Sequence, residues 1–103
     1  MSNSRMMNLS MPYTAQKNVT TSGTPVQLAA QAIPPGVTIV VKAKNSNTGT
    51  ITVGNSSTNA LNTGTTHFKL LNGQSIEYQV QNTDVVWIDA TVSGEGVEIT
   101  AEI

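Results

Sequence analysis

The sequence predicts an all-β domain, an antiparallel β-sandwich or jelly-roll-like fold, preceded by an extended N-terminal arm. Three observations carry this. Short runs of alternating apolar and polar residues recur along the chain, β-branched residues fill them, and Gly-, Pro- and Asn-containing turns separate them. No eleven-residue window carries an apolar stripe of helical period. Seven or eight short strands with turns this frequent pack as two sheets.

Residues 1–16 read as the arm. Met1, Met6, Met7, Leu9, Met11 and Tyr13 are interspersed with polar residues, show no helical or strand period, and include Pro12, which breaks any helix. Adaptable methionine side chains suit contact with a partner. Residues 17–103 read as the sandwich.

Within the sandwich, Val19–Thr21 and Val26–Ala30 are short candidate strands, and Pro34-Pro35-Gly36 is a strong stop. Val37–Lys44 places Val37, Ile39, Val41 and Ala43 on one face. Asn45–Gly49 then turns the chain into Thr50–Val53, which predicts a hairpin. Thr65–Leu71 and Gln74–Gln81 flank Asn72-Gly73, the best tight-turn dipeptide in the chain, and predict another. Val85–Ala90 reads as a buried strand. The last strand, Val97–Ile103, alternates cleanly, with Val97, Ile99, Ala101 and Ile103 facing in. The predicted core is Ile39, Val41, Ile51, Val53, Ile76, Tyr78, Val80, Ile88, Val97 and Ile99.

The segment Gly49–Ser57 comes close to a phosphate-binding loop, G-x-x-x-x-G-K-[ST], but Asn55 stands at the lysine position. Such a loop needs the lysine charge as well as its backbone N–H groups. Between the glycines lie Thr50, Ile51, Thr52 and Val53, all β-branched and alternating in polarity. The glycines therefore mark strand ends, and Ser56–Asn59 carries turn chemistry with no helix pattern.

A chain of 103 residues holds one domain. It has no cysteine, which excludes disulfides, thiolate metal sites and a cysteine nucleophile. Its start lacks the apolar run of a signal peptide, and no stretch approaches membrane-spanning length. Asn, Gln, Ser and Thr account for 40 residues while only 11% are charged, so uncharged groups solvate the surface, as in extracellular and virion β-proteins. All five basic residues precede residue 70 and all six acidic ones follow it. Either the two halves interleave as neighbouring strands, or a basic arm docks on an acidic surface, including that of a second copy. Five scattered bases make no nucleic-acid footprint.

The search for chemistry ends without an active site. His67 is the only histidine, and catalysis or metal binding needs partners for it. No serine sits in a nucleophile elbow, and the acid–base constellation of a hydrolase is missing. Asp84, Asp89, Glu95 and Glu98 suit a hard cation by type, but their spacing matches no known calcium loop. Trp87 and Tyr78 offer a sugar-stacking platform, although Val85, Val86 and Ile88 around Trp87 favour a core or subunit interface.

The run Asn47-Thr48-Gly49-Thr50-Ile51-Thr52-Val53-Gly54-Asn55-Ser56-Ser57 resembles the "NtGtIyVGnss" segment of small tailed-phage virion proteins. Leu71-Asn72-Gly73-Gln74-Ser75-Ile76 is similar to their "L-x-x-G-e-s-I" strand entry. Trp87-Ile88-Asp89-Ala90, followed by Gly94-Glu95-Gly96-Val97, resembles their closing "iyvda…GdgV" pair. The likeness covers residues 37–103. It implies a β-sandwich with a structural role in the particle, as a capsid decoration, head-fibre or minor tail component, often trimeric, and it brings no catalytic residue.

The expectation is therefore a phage virion structural protein, not an enzyme. More specifically, it is a capsid decoration (cement) protein on the head surface that attaches through its arm and stabilises the capsid. The attachment and interface candidates are Met6, Met7, Leu9, Met11, Tyr13 and Trp87. The expected partners are the major capsid protein or another virion protein, and copies of itself in a homotrimer. No metal, cofactor, nucleic acid or membrane is expected. The alternative is a carbohydrate- or receptor-binding module of a tail or fibre, using Trp87, Tyr78 or the 54–64 loop.

Overall fold

A turn sequence reverses the chain but does not decide which sheet receives the next strand, and in this protein that choice sets the architecture. A computed structural model describes residues 11–65 and 67–103. Its strands are β1 (Pro12–Asn18), β2 (Val26–Gln27), β3 (Ile39–Ala43), β4 (Ile51–Gly54), β5 (Phe68–Leu70), β6 (Ser75–Tyr78), β7 (Trp87–Ala90) and β8 (Gly96–Glu102). They form two four-stranded sheets, ordered β1-β8-β3-β6 and β2-β7-β4-β5, with every pair antiparallel. The first strand pairs with the eighth, the second with the seventh, the third with the sixth and the fourth with the fifth. The chain is thus a long antiparallel ribbon doubled back at β4–β5 and rolled so that successive pairs alternate between sheets. This is jelly-roll topology, and the predicted class is the one found.

Both predicted hairpins are corrected. β3 and β4 lie in different sheets, as do β5 and β6. The Asn72-Gly73 turn does form. Gly73 has φ 79°, and the Gln74 N–H donates to the Leu71 carbonyl at 3.0 Å. Beyond it the chain joins β3: the Gly73 N–H donates to Ala43 O at 3.0 Å and the Ala43 N–H to Gln74 O at 2.8 Å. Burial of the inward faces chose the partner that local turn chemistry left open.

The same topology explains the charge layout. Every first-half strand except β4 and β5 pairs only with second-half strands, and β3 lies between β8 and β6, with Lys42 opposite Glu98 and Val40 opposite Glu77. The two charge blocks of the sequence are therefore interleaved within one sandwich.

The core runs between the sheets and includes Val19, Leu28, Ile39, Val41, Ile51, Val53, Leu70, Ile88, Val97 and Ile99. Ile76, Tyr78 and Val80, predicted as core, are only half-buried against it. Ile76 and Tyr78 belong to β6, which among the described residues is an edge strand with a neighbour on one side only, and Val80 follows just beyond it. Ser57–Ala60 forms a one-turn helix, α1, where turns were expected, because the Ser56 side chain caps it by accepting from the Asn59 N–H at 3.1 Å.

The boundary of the arm also moves. Residues 12–16 are part of the sandwich, since β1 pairs with β8 from Pro12 opposite Glu102 to Asn18 opposite Gly96. Tyr13, Ala15 and Lys17 are half-buried, and the residues between them are exposed. Pro12 is accommodated because Met11 and Ile103 exchange both backbone hydrogen bonds at 2.9 Å. That leaves the Pro12 nitrogen facing the open edge, where a missing N–H costs nothing.

Candidate functional site

Of the predicted interface residues, Met6, Met7 and Leu9 lie outside the described residues. Met11 is 66% exposed, and Tyr13 packs on the core margin. Trp87 is half-buried on β7, opposite Gln27 and Gly54. Ile88 and Ala90 of that strand point into the core, so Trp87 and Asp89 point to the outer face. Tyr78 belongs to the inner side of the other sheet. A sugar-stacking platform made of both aromatics would need them on one face, and the fold separates them.

The glycine-framed segment is β4, as the alternation requires. Gly54 is held against α1, where a Cβ would lie 2.6 Å from the Ala60 nitrogen. The His67 ring meets the Leu61 carbonyl through Nδ1 at 3.0 Å, a loop-fixing contact.

The acidic residues considered as cation ligands do not converge. Among the described residues, no group of three or more His, Cys, Asp or Glu side chains gathers. Asp89 is fully buried under the α1–β5 connection. Its Oδ1 accepts from Gly23 N–H at 3.0 Å and Ala90 N–H at 2.8 Å, and its Oδ2 from Asn62 N–H at 2.8 Å. The Asn62 amide donates to Ala90 O at 2.7 Å and to Ser22 Oγ at 3.2 Å. Asp89 thereby ties three separate chain segments together.

Glu95 performs a similar task at the surface. Its Oε2 accepts from Thr48 N–H at 2.6 Å and Thr48 Oγ1 at 2.8 Å, and its Oε1 accepts from Gly49 N–H at 2.9 Å. The Thr48 and then the Gly49 backbone N–H hold its carboxyl below the usual range. A depressed folded-state pKa contributes stability above the unfolded value, near 4.5, that is lost as pH falls through the folded value. The wild type should therefore melt above Glu95→Gln at neutral pH, with the gap closing below about pH 4. A gap constant from pH 7 to pH 3 in thermal melts would contradict this.

The described surface carries two grooves of note. One, of about 430 Å³, crosses the outer face of the first sheet over Thr14, Gln16, Val40, Lys42, Glu98 and Thr100. The other, of about 540 Å³, opens on the β5–β6 side, where the two sheets part. Val53, Val80 and Val86 line it with Tyr78, and Asn55, Asn59 and His67 stand around it. Phe68 and Val85 also line it while remaining 55% and 47% exposed. Burial raises the Tyr78 phenol pKa, as an apolar setting should. The lining of this cleft is largely apolar, and an aliphatic or aromatic group fits its chemistry better than an ion.

Sequence reasoning missed the cleft because its walls come from five separate stretches of chain. It also missed the strand signal at the start of the chain: Met7, Leu9, Met11, Tyr13 and Ala15 alternate with Asn8, Ser10, Pro12 and Thr14. Comparison with protein-family models, with curated proteins and with solved structures finds no match.

Proposed function

We propose that this chain is a phage virion structural protein, a decoration (cement) protein on the head surface that attaches through its N-terminal segment and stabilises the capsid. One observation carries the reading. Among the described residues β1 is an edge strand, and the apolar alternation of its sequence continues upstream as Met11, Leu9 and Met7. The core, among the described residues, is assembled from residue 13 onward, and Met11 just before it is exposed. The uncharged polar composition and the jelly-roll topology agree with the reading, although jelly rolls also serve lectins and cupins, so topology alone selects nothing.

The test is attachment. A truncation through residue 14 would remove part of β1, so the informative deletion is residues 2–10. The shortened chain should fold with near-native thermal stability and fail to co-sediment with heads assembled without this protein, whereas the full chain binds them. Full-strength binding by the truncated chain would move the contact to the sandwich and refute the arm as the attachment device.

A further inference from the structure

We propose that the β5–β6 cleft is a docking site for the N-terminal strand of a second copy of this chain, with Met7 and Leu9 seated in it. The inference goes beyond the reading above: it concerns free copies in solution, where the segment assigned there to the capsid has no capsid to bind.

The cleft asks for apolar side chains presented at intervals along an extended backbone. Val53, Val80, Val85 and Val86 line it with Phe68 and Tyr78, and two of these six are about half exposed. On one flank runs β6, the edge of the first sheet, whose outer side has no strand beside it among the described residues. An added strand along β6 would extend that sheet through main-chain hydrogen bonds and turn alternate side chains inward. The sequence supplies such a strand: Met7, Leu9 and Met11 alternate with Asn8 and Ser10, so one face is apolar and the other is hydrogen-bonding. Its charge is neutral, as the uncharged cleft lining requires.

Reach decides between the chain's own cleft and a neighbour's. Met11 pairs with Ile103, and continuing the β3–β8 and β3–β6 registers past their last pairs, Val40–Thr100 and Ile39–Tyr78, sets it level with Val37 and Val80. Val80, at the near side of the cleft, is thus three strand spacings from Met11, roughly 14 Å. Leu9 lies two residues from Met11 and extends at most about 7 Å, and Met7 at most about 14 Å. In its own chain Leu9 falls short even with its side chain extended, so the cleft cannot seat Leu9 and Met7 of the same molecule together. A second copy has no such limit. Donor strand and acceptor cleft stand at opposite edges of one sheet, so the contact is head-to-tail. It closes into a ring if the rotation per copy permits, and otherwise propagates.

The experiment uses the full chain, with Leu9→Asp breaking the donor and Val85→Asp breaking the acceptor. Phe68→Ser is a second acceptor variant, should Val85→Asp melt early. In sedimentation velocity over a concentration series, the wild type should associate and each variant alone should remain monomeric with a wild-type melting temperature. Mixing donor-broken and acceptor-broken chains should restore a one-to-one complex, since one intact arm and one intact cleft remain on different molecules. The chain has no cysteine, so Leu9→Cys in one molecule and Val85→Cys in another should form a disulfide between chains. A monomeric wild type, a mixture that stays monomeric, or a doubly substituted chain that closes its disulfide within itself would each overturn the proposal.

Discussion

Replacing Asp89 with alanine should cost about 3–5 kcal/mol of folding stability. The carboxylate is fully buried and accepts from the backbone N–H groups of Gly23, Asn62 and Ala90 at 2.8–3.0 Å. Alanine leaves these donors facing a space with no acceptor, and each orphaned buried donor costs about 1–3 kcal/mol. The damage would extend along the network, because the Asn62 amide and Ser22 Oγ both donate to Ala90 O at 2.7 Å and rely on Asp89 to fix their loops. Asp89→Asn keeps the shape and one acceptor oxygen, so it should fall between alanine and wild type. Urea unfolding reads the result directly: the midpoint should drop with an unchanged slope. An alanine variant within 1 kcal/mol of wild type, roughly the level of an ordinary surface change, would mean that Asp89 does not lock these segments.

Asp89 also marks how far the sequence could be read. β7 alternates as Trp87, Ile88, Asp89 and Ala90, and that pattern places Ile88 inside. It cannot reveal that the outer face is roofed by the α1–β5 connection, where an aspartate becomes a lock. β3, β4 and β8 were legible for the opposite reason: each pairs on both sides, so their apolar faces are fully buried and their period survives. β6 read as core and proved half-buried, because edge position is a property of the sheet and not of the strand. At β1 the alternation was present but went unread as a strand period, Pro12 having been weighed only against a helix, and the pairing with β8 shows that its nitrogen faces the open edge. The cleft lay beyond sequence reading altogether, since it exists only where β5 and β6, four residues apart in the chain, part company into two sheets.

Gly96→Ala should lower stability by about 3 kcal/mol or more, although alanine suits a strand better than glycine does. The reason is space. Gly96 opens β8 and lies opposite Asn18 of β1. A Cβ built there overlaps the Lys17 carbonyl oxygen and comes within 2.7 Å of the Asn18 Cα and 2.6 Å of its Oδ1. Two of these three neighbours are backbone, so relief requires β1 to shift away from β8. On the other side, Gly96 O accepts from Lys44 N–H at 3.1 Å and from the Asn47 amide at 2.9 Å, so β8 cannot retreat without breaking those bonds. Gly94, two residues earlier, provides the contrast. Nothing lies within 4 Å of its would-be Cβ, but its φ of 89° is a conformation that suits glycine. Gly94→Ala should therefore cost about 1–2 kcal/mol from backbone strain alone. At about 4–8 °C per kcal/mol in a domain of this size, the two variants should separate clearly in thermal melts, with Gly96→Ala lower. If Gly96→Ala melted at or above Gly94→Ala, the close contact between β1 and β8 would not be the constraint that keeps glycine at position 96.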